Sequence, residues 1–505
     1  MKILSGAQMA RLDRLSIRRH GISARALMRH AARACCEEIL ALPLSKKIRR
    51  IVVVCGPGNN GGDGFAVAAL LRPNKFDLQV FFLGNEAALS EEAHHYHGQA
   101  KDMIRPRRAM PAALRRADLV IDAIFGIGLK RPVTGRYAAA IAAINRAPGY
   151  KLAVDIPSGI SADTGEALGT AFRADLTVTF EAPKWGQILP PAWDFVGRLA
   201  VCPIGLSRAE LKKMPSVAEW VDADYVRGHR RPRSREAHKG DAGRVLVVAG
   251  SREMPGAGYL AAVAALRAGA GVVTWALPEE AFRRIDLRFP EVILLPAPAR
   301  DGKFGAESFP ALQGPMRRFQ AMAVGPGLGQ GEGLQGFLRE LLSARRPPTV
   351  LDADALNNVA GSKGLAKRLR GAILTPHLLE LSRLSGKSVA SIRADPVGAA
   401  RGFARRHRCW VVLKGYRSVI AGPTGRIWIN SVGGPNLATA GSGDVLTGVI
   451  AGLLAQGFKP EVAVPCAVFL HGLAGDRLAE RLGDRGTIAS DIAKEIPKIV
   501  WKFCG

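Results

Sequence analysis

The sequence predicts a two-domain α/β protein built on mostly parallel sheets. Three observations carry this: short apolar runs rich in β-branched residues recur along the chain, each leads into a loop bearing glycine or aspartate, and helical patterns alternate with them. The rhythm breaks near residue 207 and restarts near 244. At 505 residues the chain is longer than the ~250–300 at which a single core stops growing, so two cores are expected.

The first forty residues are helical in character, with few breakers between 23 and 42. The run at 51–55 is short and β-branched, as a buried parallel strand is, and passes through GPGNNGGDG into the helical FAVAALL. Strands follow at 78–84, 119–126, 152–159 and 176–180, with helices over 86–100 and 137–146 between them. In such sheets ligands bind outside the carboxyl ends of the strands, so the loops at 59–63, 122–128 and 155–158 share one rim. The stretch 207–243 changes composition, and its basic HRRPRSREAHKG reads as a linker or an exposed flap. Strands are then predicted at 244–250, 272–277, 321–327, 349–356, 372–377 and 409–415, with a hairpin over 418–422 and 425–430. The closing helices begin near Gly443 and Val462.

Lys plus Arg number 71 against 43 Asp plus Glu, a formal charge of +28 that concentrates anionic partners. Nucleic acid, an anionic membrane or phosphorylated small molecules all fit, but the arginines are spread over both halves and mark no single face. The seven cysteines include no CxxC pair and no metal-ligand spacing, which argues for free thiols in a reducing compartment. The start lacks the apolar region of a signal peptide. The apolar run 254–278 is broken by Arg267 and is read as a buried helix plus strand, so a cytoplasmic protein with no membrane or nucleic-acid partner is expected.

GPGNNGGDG matches neither GxGxxG nor GxxxxGK[ST], and reads either as a plain tight turn or as a backbone cradle for a phosphate or polar ligand. Asn59, Asn60 and Asp63 suit a hard cation or a sugar. Asp122 and Asp155 end apolar strands, where a carboxylate needs a partner, and Asp155 is the stronger acid–base candidate. Lys184 is a catalytic amine or a surface charge, and Trp185 packs its loop or stacks on a ring. In the second half, ATAGSGDVLTG offers small residues and a helix N-terminus to an anion, with Asp444 as a first-turn stabiliser or a general base or acid. His377 and Lys414 follow strands, Lys414 as a point charge for phosphate. His94, His95 and His97 read as a solvated helical face, and His471, Gly472 and Asp476 as support for a helix junction.

VVVCGPGNNGGDGFAVA, DAIFGIGLKRPVTG, AVDIPSG and APKWG, in order, resemble the epimerase domain of the bifunctional NAD(P)H-hydrate repair enzymes. The resemblance implies a Rossmann-like three-layer domain over 1–206 that interconverts R- and S-hydrated NADH and NADPH at C6 of the nicotinamide. It implies that Asn59, Asn60, Gly61, Gly62 and Asp63 contact substrate, and that Asn60, Asp122 and Ser158 hold potassium. Gly126, Ile127, Gly128, Leu129, Lys130, Arg131 and Pro132 form a loop over the substrate, and Asp155 sits at the reacting ring. Ring opening or imine formation, with Asp155 in acid–base steps, is the expected course.

KGDAGRVLVVAGS, GAGYLAAVAALRAGAG, VGPGLG, LDADAL, LTPH, VVLKG, GSGDVLTG and HGLAGD resemble the ADP- or ATP-dependent NAD(P)H-hydrate dehydratases. This implies a ribokinase-like domain over 225–505, after a 207–224 linker, that uses ADP, with magnesium on its phosphates, to dehydrate the S hydrate and release AMP and phosphate. Asp444 is then catalytic, Ala257, Gly327 and His377 line the substrate, and Lys414, Gly415, Tyr416, Arg417, Ser418 and Gly443 bind nucleotide. A homo-oligomer is expected on the same ground. Departures fall at Leu378 and Leu379 after LTPH, in GGPNLAT at 433–439, and at Tyr416 and Arg417. The competing readings are a ribokinase-like kinase of small alcohols, which leaves the first half unexplained, and a basic nucleotide- or RNA-binding protein.

Overall fold

A computed structural model describes residues 1–285 and 290–504. It divides into two compact units, Lys2–Ser216 and Val217 onward with Met1.

In the first unit, β1 (Arg50–Cys55), β2 (Asp77–Phe82), β3 (Leu119–Ala123), β4 (Tyr150–Val154), β5 (Leu176–Phe180) and β6 (Arg198–Cys202) form one parallel sheet in the order β2-β1-β3-β4-β5-β6. Residues 51–55, 119–123 and 176–180 are buried throughout, which requires cover on both faces and explains why these strands read as unbroken apolar runs. β6 was not foreseen. It is only partly buried at the sheet edge, so it lacks the apolar signal of the central strands.

In the second unit, β7 (Ala218–Val221), β8 (Arg244–Val248), β9 (Val272–Pro278), β10 (Val292–Ala297), β11 (Ala321–Val324), β12 (Thr349–Leu351), β13 (Ile373–Leu374), β14 (Trp410–Leu413), β15 (Val419–Ala421) and β16 (Ile427–Asn430) make a ten-stranded sheet in the order β10-β9-β8-β11-β12-β13-β14-β15-β16-β7. The hairpin is present, with β15 antiparallel to both β14 and β16. The expected 207–224 linker is not one: residues 208–213 form a helix in the first unit, and β7 closes the edge of the second sheet by parallel pairing with β16. Two short elements broken by Pro215 left too little periodicity to see.

The 254–278 run divides into the helix Pro255–Arg267 and β9, as predicted. That helix packs on Ser442–Ala455 so closely that a Cβ on Gly448 would lie 2.2 Å from the Ala261 carbonyl oxygen. Glycine is what allows this approach. Among the described residues one helix, Pro460–Leu482, is long and apolar enough to cross a membrane, and 72% of its apolar stretch is buried within the protein. His97 departs from the expected solvated face: it is buried edge-on against Phe65 and Phe82, while His94 stays exposed and His95 is half-buried. Six cysteines are free thiols; the Cys504 side chain lies outside the described residues.

Candidate functional site

The helix after β1 starts at Asn59, so NNGGD is its first turn and not a loop before it. Gly61 is the reason this works: a Cβ there would stand 1.9 Å from the Gly56 carbonyl oxygen. Asn59, Asn60 and Asp63 consequently face a cavity of about 830 Å³ that is also lined by residues 126–131, Asp155 and Lys184. Gly61, Gly62 and Pro132 do not line it, against expectation. The two glycines are spent on packing, Gly62 against Met28 and Ala93.

Asp155 follows β4 in the left-handed conformation, at φ 63°, a strained backbone for an aspartate that aims its side chain back at β5. Its Oδ1 accepts the Lys184 ammonium at 2.6 Å and the Thr179 hydroxyl at 3.0 Å, and its carbonyl accepts Gln187 Nε2 at 2.6 Å. Oδ2 carries no protein bond among the described residues. Lys184, 1% exposed, is not the surface charge its sequence allowed. It is a buried counter-ion that also donates to Thr179 and the Phe180 carbonyl.

On the neighbouring strand β3, Asp122 is fully buried and accepts the Ser158 hydroxyl at 2.6 Å, the Ser158 N–H at 2.7 Å and the Ile124 N–H at 3.2 Å. Burial pushes its carboxyl up to about 6 despite those donors. Asn60, 7% exposed, has no partner for either amide atom among the described residues. A buried amide left without a partner is costly unless something occupies the space it faces.

In the second unit, Asp352, His377 and Lys414 follow β12, β13 and β14 on one rim. Buried Asp352 accepts Lys414 Nζ at 2.8 Å on one oxygen and the Thr447 hydroxyl at 2.8 Å on the other. Lys414 also stands 3.9 Å from Glu380. Burial opposes its charge, but Asp352 and Glu380 hold its ammonium above the ordinary lysine range. His377 caps the helix Leu378–Ser385: its Nδ1 accepts the N–H groups of Leu379 and Glu380, and Glu380 accepts the His377 N–H at 2.8 Å. The departure at Leu378 and Leu379 therefore keeps the acid that closes the capping box.

A cavity of about 640 Å³ is lined by His377, Lys414, Gly415, Tyr416, Ser418 and Gly443. Arg417 does not line it, contrary to expectation. Its left-handed backbone, φ 55°, turns the guanidinium onto Trp220, 5.0 Å from the ring. Asp444 lies outside this cavity, in the first turn of Ser442–Ala455. Burial first, then Asp352, push its carboxyl up to about 7, with Lys414 opposing. Ala257 and Gly327 adjoin one another, since a Cβ on Gly327 would meet that of Ala257 at 3.0 Å. His471, its pKa pushed down to about 4 by burial, is neutral and donates Nε2–H to the Ser442 carbonyl at 3.0 Å. Asp476 accepts the Gly433 N–H, so both residues brace this junction as expected.

The family model for NAD(P)H-hydrate dehydratase matches residues 245–498, and that for the YjeF-related protein N-terminus matches residues 24–186. A bifunctional NAD(P)H-hydrate repair enzyme of Moorella thermoacetica is 37% identical over 512 residues, spanning 99% of this chain and 97% of its own. The chain belongs to the bifunctional NAD(P)H-hydrate repair enzymes. A second repair enzyme, from Thermofilum pendens, is 37% identical across 99% of this chain and 96% of its own. A ribokinase-like superfamily protein from Enterococcus faecalis matches with TM-score 0.50 at 26% identity, over 58% of this chain and 98% of its own. The N-terminal Rossmann-like and C-terminal ribokinase-like folds are thus as predicted, and the kinase and RNA-binding readings are set aside.

This repair enzyme is bifunctional, acting on hydrated nicotinamide cofactors as epimerase and dehydratase. Sequence reasoning missed Asp13, which lines the first cavity, and Thr179, Gln187, Asp352 and Thr447, which hold the candidate acids and bases in place. LDADAL carried Asp352 as part of a motif, but nothing local distinguished it from Asp354.

Proposed function

We propose that the N-terminal cavity epimerises the R and S hydrates at nicotinamide C6 and that the Asp444 rim dehydrates the S hydrate, with ADP giving AMP and phosphate. The observation that carries the first assignment is Asp155, tethered through one oxygen by Lys184 and Thr179 with the other left for the ring. Asn59 and Asp63 and the 126–131 loop line the same cavity and would contact the substrate there. Asn60, Asp122 and Ser158 would hold potassium: the donors are hard oxygens, the Asn60 amide lacks a partner among the described residues, and the Ser158 hydroxyl donates one bond and accepts one, keeping a lone pair. When bound, the ion would offset the negative charge of Asp122 and of substrate phosphate.

At the second site, Lys414 and the glycine-rich start of Ser442–Ala455 would receive the nucleotide phosphates, with Gly443 beside the lysine. Among the described residues no three His, Cys, Asp or Glu side chains gather as a metal cage, so magnesium would ride on those phosphates. Asp444 would take the proton of the C6 hydroxyl as its oxygen attacks the β-phosphorus of ADP, releasing AMP. The C6–O bond then breaks with phosphate leaving, a proton is lost from C5, and the C5=C6 double bond of the dihydronicotinamide is restored.

The test is product analysis from purified R and S hydrates with and without ADP. ADP-dependent recovery of NADH from S, and from R only through the epimerase, supports the reading; a stable phosphorylated hydrate with no NADH overturns it.

A further inference from the structure

We infer that Asp13 is the second proton-carrying group of the epimerase site, acting with Asp155 on the C6 substituent of the nicotinamide. This rests on the reading of the N-terminal cavity proposed above. Asp13 belongs to the helix Gly6–His20, outside every motif that marks the site, yet it lines the same cavity as Asp63, Asp155 and Lys184.

The two carboxyls are furnished in opposite ways. Asp155 sits in a contact ion pair with Lys184 and takes a hydroxyl donor besides, so its surroundings suit an acceptor. Asp13 is half-buried and has no hydrogen bond or ion pair among the described residues. Of the charges around it, Lys184 and Arg14 favour its ionised form, while Asp155 and Glu181 oppose it. Burial outweighs them all and pushes its carboxyl up to about 6. Two titratable groups in one cavity whose environments differ in this sense are the usual arrangement of an acid and a base.

Inversion at C6 needs both. Asp13 gives its proton to the C6 hydroxyl, the C6–O bond breaks with its electron pair departing as water, and the N1 lone pair forms C6=N1. Water then adds to the opposite face, the C6=N1 pair returns to nitrogen, and Asp155 takes the proton released. In the reverse direction the two carboxyls exchange roles. One oxygen is exchanged with solvent per inversion, and no oxidant or co-reactant is required.

The experiment uses the full chain carrying Asp13→Asn, with Asp155→Asn in parallel, and follows epimer exchange from pure R hydrate above the uncatalysed background. ADP-dependent dehydration of S hydrate and thermal melting serve as controls. Asp13→Asn is expected to lower kcat for exchange by about 100-fold with KM and dehydration unchanged, and Asp13→Glu to recover part of it. Because the acid form of Asp13 is lost as pH rises, native exchange declines above about 6, and the variant loses that decline. Exchange within about two-fold of native in folded Asp13→Asn overturns the inference. So does a large loss that keeps the high-pH decline, since Asp13 would then be structural. Full exchange by Asp155→Asn would instead bring down the reading of the site itself.

Discussion

Lys184 Nζ lies 2.6 Å from Asp155 Oδ1, and the lysine has almost no access to solvent. The pair fixes the strained Asp155 and leaves one carboxylate oxygen to the cavity. Removing one partner of a buried ion pair strands the other, at about 3–5 kcal/mol. Lys184→Met is expected to lower stability by that order in chemical denaturation and to slow epimer exchange. Unchanged stability would mean that the ion pair does not form.

The two activities are expected to separate by substitution. Asp155→Asn should suppress epimer exchange by about 10²–10⁴-fold and leave dehydration of S hydrate intact, and Asp444→Asn should do the reverse. Equal loss of both activities in either folded variant contradicts independent sites.

Asp444, pushed up to about 7, sets the sign of a pH effect. A proton acceptor is disabled as it protonates, so the dehydration rate should fall as pH drops through about 7 and level off above it. Initial rates of NADH recovery between pH 5 and 9 read this directly. A rate that rises on acidification would assign Asp444 the role of acid instead.

Potassium should matter to one reaction only. Replacing it with a bulky organic cation is expected to slow epimer exchange about 10–100-fold, with Asn60→Ala removing the response. Dehydration of S hydrate in the same buffers should not follow the cation.

Gly61→Ala tests the helix start. With the Gly56 carbonyl oxygen 1.9 Å from the added methyl, the turn before Asn59 must shift. Crowding of this kind costs about 1–3 kcal/mol, occasionally more, and should lower both the melting temperature and the exchange rate. An unaltered melting temperature would show that the turn gives way freely.

Much of this was legible in the residues. Strand-ending Asp122 and Asp155, the glycine-rich approach to Asn59 and the Gly443–Asp444 helix start all lie in contiguous stretches, where alternation, turn chemistry and motif spacing are local properties. The edge strands β6 and β7 and the start of the helix at Asn59 were not legible, because partial burial weakens the apolar pattern of β6, β7 is too short beside Pro215 to show a period, and a buried Gly61 looks like any turn glycine. His97 read as part of a solvated helical face and Arg417 as a nucleotide contact until packing turned one onto Phe65 and the other onto Trp220.

The sequence by itself determined the fold class, the family and the rims on which chemistry is placed, since each is written in residues close along the chain. Only the tertiary structure decided which side chains meet there: Asp155 with Lys184, 29 residues on, Asp352 with Lys414, 62 residues on, and Asp13 with the cavity of a distant strand end. Contacts across such separations depend on how sheets and helices stack, and no local pattern encodes the distance between two side chains that only packing brings together.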